Sequence, residues 1–167
     1  VAHAPRMIRV VVPVWTEEMM APLAELLSRL RAVRALRFDA RSEAATGWNG
    51  VGAGTVTVSE PSAGVVVFEE TGTWQPPDRP AIGFRNVFRW SVAGAVLRLE
   101  HLRFGPDEPV FLIDMAPGAD GEWHEVRPHQ CRDDCYTAAM KIEGGTLLVA
   151  WSVQGPSKRE SIRYTYW

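Results

Sequence analysis

The chain has 167 residues, enough for one domain with a sizeable core and short of what two usually take. Eighteen basic against twenty acidic side chains leave a formal charge of −2, so neither a basic footprint for nucleic acid nor a polybasic patch for a membrane surface is expected. No run of eighteen apolar residues is present, which argues against a transmembrane helix.

The stretch MIRVVVPVW at 7–15 places a basic residue before an apolar run, in the manner of a signal peptide. It is short, interrupted by Pro13 and followed by acidic residues without a small-residue cleavage site. It reads as mature protein, and a cytoplasmic chain is expected. From Thr16 to Val33, Met19, Leu23, Leu26, Leu27, Leu30 and Val33 recur at helical spacing. Thr16 suits the N-cap, Glu17 and Glu18 the positive end of the dipole, and Arg29, Arg31 and Arg34 the other end. This predicts a helix over 16–34.

After it the sequence becomes strand and turn. Strands are predicted at 48–59, 64–74, 84–92, 95–104, 109–115, 122–129, 136–143, 146–154 and 161–167. Turn formers separate them, among them Ala93-Gly94, Gly105-Pro106-Asp107, Gly144-Gly145 and Gly155-Pro156-Ser157. Several connections have the length of antiparallel hairpins. Consecutive short hairpins favour an up-and-down topology, and a single leading helix then closes one end of a barrel. The expectation is one mainly β domain over 1–167: the helix at 16–34, then an antiparallel barrel of 8–9 strands over 47–167. A barrel of eight strands holds side chains plus one small ligand. The glycines at 50, 52 and 54 lead into a strand, not a helix, so they are read as allowing a bend or close strand approach.

GWNGVGAGTVTV (47–58), FEETGTW (68–74), FRNVFRW (84–90), LEHLRFGPDEPVFLIDM (99–115), PHQCRDDCY (128–136) and WSVQGPSK (151–158) together resemble an uncharacterised bacterial and fungal family, a domain of unknown function. The resemblance spans roughly residues 40 to 167 and implies a calycin-like, lipocalin-type β-barrel. The Gly-Trp pair at 47–48 is similar to the lipocalin Gly-x-Trp corner, one residue out of step. Barrels of this kind include passive carriers, haem binders and cofactor-free enzymes, and fold alone does not choose among them.

Strand alternation sorts residues into faces. Asn86, Phe88 and Trp90 share one face, Tyr136 and Met140 another, and Leu147, Val149, Trp151 and Val153 a third, all read as inward. On LRLEHLRFG (97–105), Leu97, Leu99, His101 and Arg103 fall on one side, so a histidine and an arginine are expected inside. An unpaired buried Arg103 costs several kcal/mol. Its partner is either one of Glu69, Glu70, Asp133 and Asp134 or an anionic ligand group, a carboxylate or enolate. His101 is read three ways: a satisfied core residue, a general acid–base near neutral pH, or a haem or metal ligand. Tyr136 either anchors packing or donates to a ligand carbonyl. His129, Cys131 and Cys135 are potential zinc ligands, yet their spacing fits no standard finger, and no metal site is expected. A polar loop at the barrel rim, with His129 near the ligand, is the competing reading. Two cysteines four apart form no disulfide framework, so free thiols are expected.

Three functions compete. The first is a cofactor-free cyclase, isomerase or lyase of small-molecule or secondary metabolism, with His101 moving a proton and Arg103 and Tyr136 stabilising an oxyanion. The ligand then lies against Asn86, Phe88, Trp90, His129, Met140 and Trp151. The second is a carrier or sensor of a hydrophobic or aromatic ligand, haem included. The third is a barrel filled by its own side chains. No cofactor, nucleic-acid or membrane partner is expected, and the chain is read as a monomer or weak homodimer.

Overall fold

In the computed structural model, residues 16–44 and 48–167 are described; the stretch 7–15 and Gly47 lie outside them. Helix α1 covers Glu17–Ala32. Thr16 holds the N-cap position without a side-chain cap bond; its carbonyl accepts from the backbone N–H of Met19 and Met20 at 3.0 and 3.1 Å. Leu23, Leu26 and Leu30 are buried along one stripe, as the periodicity predicts.

Among the described residues eleven strands follow: β1 Ala35–Ser42, β2 Gly50–Ser62, β3 Val65–Gln75, β4 Ile82–Ala93, β5 Val96–His101, β6 Val110–Pro117, β7 Trp123–Glu125, β8 His129–Cys131, β9 Asp134–Glu143, β10 Thr146–Gln154 and β11 Arg159–Tyr166. Each pairs antiparallel with its neighbours in a single sheet, and β11 pairs β1 while β9 pairs β10, so the sheet closes on itself. The described residues thus form a mainly β structure, one helix and a closed antiparallel meander. The expected count of 8–9 strands is corrected in two places. The segment 122–129 is split: β7 and β8 lie in turn along the same edge of β9, so the eleven strands occupy ten positions in the ring. The other departure is β1, where no strand was expected. Leu36, Phe38 and Ala40 are buried there between exposed Arg37 and Arg41, a period-2 pattern hidden directly behind the helix.

The helix covers one end of the ring. It touches β2, β3, β6 and β10, which stand on different sides of the barrel. Arg31 pairs with Glu60 beside the β2–β3 turn, and Arg29 lies against Gly145 in the β9–β10 turn. Its leucines join the cluster that includes Leu36, Val66, Leu97, Met115 and Leu147. Outside the barrel, charged pairs decorate the sheet: Arg85–Glu69, Arg89–Glu100 and a two-pronged Arg98–Asp114 pair at 2.8 and 2.9 Å. Partly exposed pairs of this kind contribute about 0–1 kcal/mol each, so the buried apolar faces carry the fold.

Three glycines permit close packing across β1–β3. Gly54 faces Gly72 across β2 and β3, and a Cβ on either would come within 2.2 Å of a backbone carbonyl oxygen of the opposite strand. Gly52 leaves room for the Phe38 ring, which a Cβ there would meet at 2.2 Å. These are close approaches of the kind read from the sequence.

Candidate ligand-binding lumen

Away from the helix the barrel is hollow. An inner cavity of about 190 Å³ is walled by Phe88, Trp90, Leu99, Tyr136, Trp151 and Tyr166, among others. Toward the open end a second space of about 460 Å³ adds Trp48, Trp74, Phe84 and Asn86. Phe88, Tyr136, Val153, Ile162 and Tyr164 wall both, so the two are compartments of one lumen. Trp48 and Trp74 stack at the mouth, centroids 5.1 Å apart and planes 15° off parallel. The surface is predominantly apolar and aromatic with a few polar groups, the usual composition of a small-molecule pocket.

Beside this wall lies a fully buried carboxyl. On β3, Val66, Phe68 and Glu70 alternate inward, and all three are 0% exposed. The Tyr166 hydroxyl donates to Oε1 of Glu70 at 2.8 Å, and Asn86, directly opposite on β4, donates Nδ2 to Oε2 at 3.4 Å. No cation pairs with Glu70 among the described residues. Burial therefore dominates and pushes its pKa up to about 7, against the pull of the Tyr166 and Asn86 bonds. Burial likewise raises Tyr164 and Tyr166, with the nearby Glu70 adding to the effect, so both phenols stay neutral. The two rings stack 5.6 Å apart. Tyr166 walls the inner cavity and Asn86 the mouth, which places the Glu70 carboxyl one hydrogen bond behind the lumen surface.

Residues 31–167 match a family of unknown function, DUF6314. The chain belongs to that family. No curated protein matches it. Among solved structures, the S-type phycobiliprotein lyase CPES from Guillardia theta is similar in fold. Its TM-score is 0.55 at 7% identity, and the match covers 90% of this chain and 97% of that one. An identity that low speaks for the fold alone.

Within this DUF6314 member, the candidate residues separate into two groups. Phe88, Trp90, Tyr136 and Trp151 wall the inner cavity, and Asn86 stands at the mouth while holding Glu70. Met140 is 1% exposed and sits in the packed core, walling neither compartment. His101 is half-buried and stacks on Phe88 at 4.9 Å, but it walls neither compartment. Burial first and the Arg103 charge second lower its pKa.

Arg103 is the clearest correction. The strand expected to run to 104 ends at His101, because Leu102 and Gly105 close a turn, Gly105 N–H donating to the Leu102 carbonyl with Gly105 at φ 100°. Arg103 is thus exposed, lying over the Phe104 ring at 4.8 Å, and it makes no ion pair among the described residues. The four carboxylates considered for it are engaged otherwise: Glu69 with Arg85, Glu70 with Tyr166, Asp134 with Lys158, and Asp133 exposed in the β8–β9 turn. His101, Arg103 and Tyr136 are not brought together on one wall.

His129 pairs with Tyr136 across β8 and β9 and lies between the Tyr136 and Phe111 rings, at the rim. Cys131 and Cys135 are both free thiols. Among the described residues, the grouping whose ligand atoms could share an ion is Asp120, Glu122 and His124 on the outer surface, not His129 with the cysteines. What the sequence reading passed over is Glu70 as an interior group in its own right, together with Tyr164, Tyr166 and Trp74. The signal was present: Val66-x-Phe68-x-Glu70 and Tyr164-x-Tyr166 alternate as cleanly as the leucines of β5.

Proposed function

We propose that the protein binds one flat, largely apolar small molecule inside the barrel and acts as a carrier or sensor. The observation that carries this reading is the aromatic lumen left open between Phe88, Trp90, Trp151 and Tyr166. At about 190 Å³ the inner compartment exceeds the roughly 150 Å³ apolar cavity that accepts benzene, and the mouth extends it for a longer molecule. Direct binding of the neutral fluorophore N-phenyl-1-naphthylamine tests it. A saturable one-to-one enhancement is expected, lost in Val149→Trp, which fills the inner wall. Enhancement that persists in a folded Val149→Trp protein would move the dye to the surface and remove the proposal.

Turnover of the bound molecule, by a cofactor-free cyclase, isomerase or lyase, is the second reading. One observation favours it: a carboxyl titrating near neutrality, linked to the lumen through the Tyr166 hydroxyl. Fold likeness to a phycobiliprotein lyase agrees with that branch without selecting it. In this reading Glu70→Gln abolishes conversion while leaving ligand affinity in place; equal conversion by both proteins would end it.

A further inference from the structure

The lumen's walls specify the ligand's polarity as well as its shape. Among the described residues, two buried side-chain polar atoms lack a hydrogen-bond partner, and both are indole N–H donors: Nε1 of Trp90 and Nε1 of Trp74. Trp90 is 2% exposed and walls the inner compartment; Trp74 walls the mouth, its nitrogen above Gly50. A buried donor left unpaired is destabilising, and an indole nitrogen can only donate. An acceptor atom brought against either indole would satisfy it.

The sign of the charge is set by what else lines the space. Among the described residues, no lysine or arginine walls either compartment, and the acidic groups nearby are Glu160 at the mouth and Glu70 behind Tyr166 and Asn86. A ligand carboxylate inside would be desolvated without a counter-ion and would face these carboxyls. With Arg103 outside the barrel, the anionic ligand group considered from the sequence loses the cation it required.

Building on the binding reading, we infer that the ligand is a neutral planar molecule bearing a carbonyl-type acceptor, which takes the hydrogen bond of Trp90 Nε1 in the inner compartment. Phe88, Trp151 and the Tyr166 ring supply the flat apolar walls, and the indole N–H fixes the carbonyl end. A longer ligand with a second acceptor meets Trp74 at the mouth.

Three probes on one fused bicyclic frame separate the contributions: 1-tetralone, its hydrocarbon counterpart tetralin, and 1-naphthoate. Their affinities are measured by calorimetry on the full chain and on Trp90→Phe. The substitution is expected to weaken tetralone about fivefold, the value of one ordinary hydrogen bond, and to leave tetralin nearly unchanged. Naphthoate is expected to bind the wild type more weakly than tetralone. Equal loss for tetralone and tetralin overturns the carbonyl contact, and tightest binding by naphthoate overturns the neutral ligand. Should none of the three bind, the lumen reading itself falls, an outcome distinct from the other two. Should Trp90→Phe fail to fold, the indole N–H resonances of the wild type decide. One buried indole proton is expected to move downfield with tetralone and not with tetralin; identical responses to both overturn the contact.

Discussion

Replacing Glu70 by Gln tests the interior carboxyl with an isosteric side chain. The amide oxygen still accepts from Tyr166, and once the Asn86 amide turns over, the new amide nitrogen donates to its Oδ1, so packing and hydrogen bonding survive while ionisation is removed. In the folded protein Glu70 has its pKa raised from the ordinary 4.5 to about 7. The folded state therefore keeps a proton that the unfolded state releases between these values. Stability from this residue is fully present below about pH 4.5 and is lost as pH rises through 7. The rise corresponds to about 3 kcal/mol. Glu70→Gln escapes this loss, so it should match the wild type near pH 4.5 and exceed it by up to about 3 kcal/mol at pH 8. Tyr164 and Tyr166 remain neutral throughout the window and do not mask the effect. Urea unfolding followed by tryptophan fluorescence, at steps from pH 5 to 8, measures it as the difference between the two proteins. Groups titrating elsewhere cancel in that difference. A difference that stays flat with pH, or a Gln variant less stable at pH 8, would refute a buried, unpaired carboxyl at this position.

Three other outcomes are expected. Gly72→Ala should cost about 1–3 kcal/mol or more, because its Cβ would meet the Ala53 carbonyl oxygen at 2.2 Å, whereas Gly83→Ala, with its nearest atom at 4.0 Å, should be close to neutral in thermal unfolding. Equal effects would show that β2 and β3 are not so closely apposed. Leu26→Ala, on the helix face packed over the barrel end, should lose about 2–5 kcal/mol in denaturant unfolding; a loss near zero would mean the helix is not part of the core. Arg103→Gln should raise the His101 pKa toward its ordinary 6.5, since the Arg103 charge is the second cause of its depression after burial. Proton NMR of the imidazole reads this directly, and an unmoved titration would separate the two residues.

Much of the architecture was legible along the chain because it is local. Helical spacing of Leu23, Leu26 and Leu30 needs no distant partner to be recognised, and turn formers such as Gly94 and Gly144-Gly145 mark hairpin ends wherever the strands go. Alternation was equally readable, so Phe88, Trp90, Tyr136 and Trp151 were assigned to the interior on pattern alone, and they wall the lumen. β1 escaped because its three inward residues, Leu36, Phe38 and Ala40, follow the helix without a turn former.

Tertiary structure decided how far each alternation runs and which polar side chains it carries inside. Arg103 sits at an inward parity on paper, but a strand's face persists only while the ladder continues, and the turn at Leu102–Gly105 releases it to water. Glu70 shows the converse. Its charge suggested an ion-pair partner for an inward Arg103, yet ring closure brings the Tyr166 hydroxyl from 96 residues away to within 2.8 Å and makes a buried carboxyl tenable without a cation. Period and turn chemistry belong to a few neighbouring residues and can be read in one dimension. Satisfaction of a buried polar group depends on strands that meet only when the barrel closes.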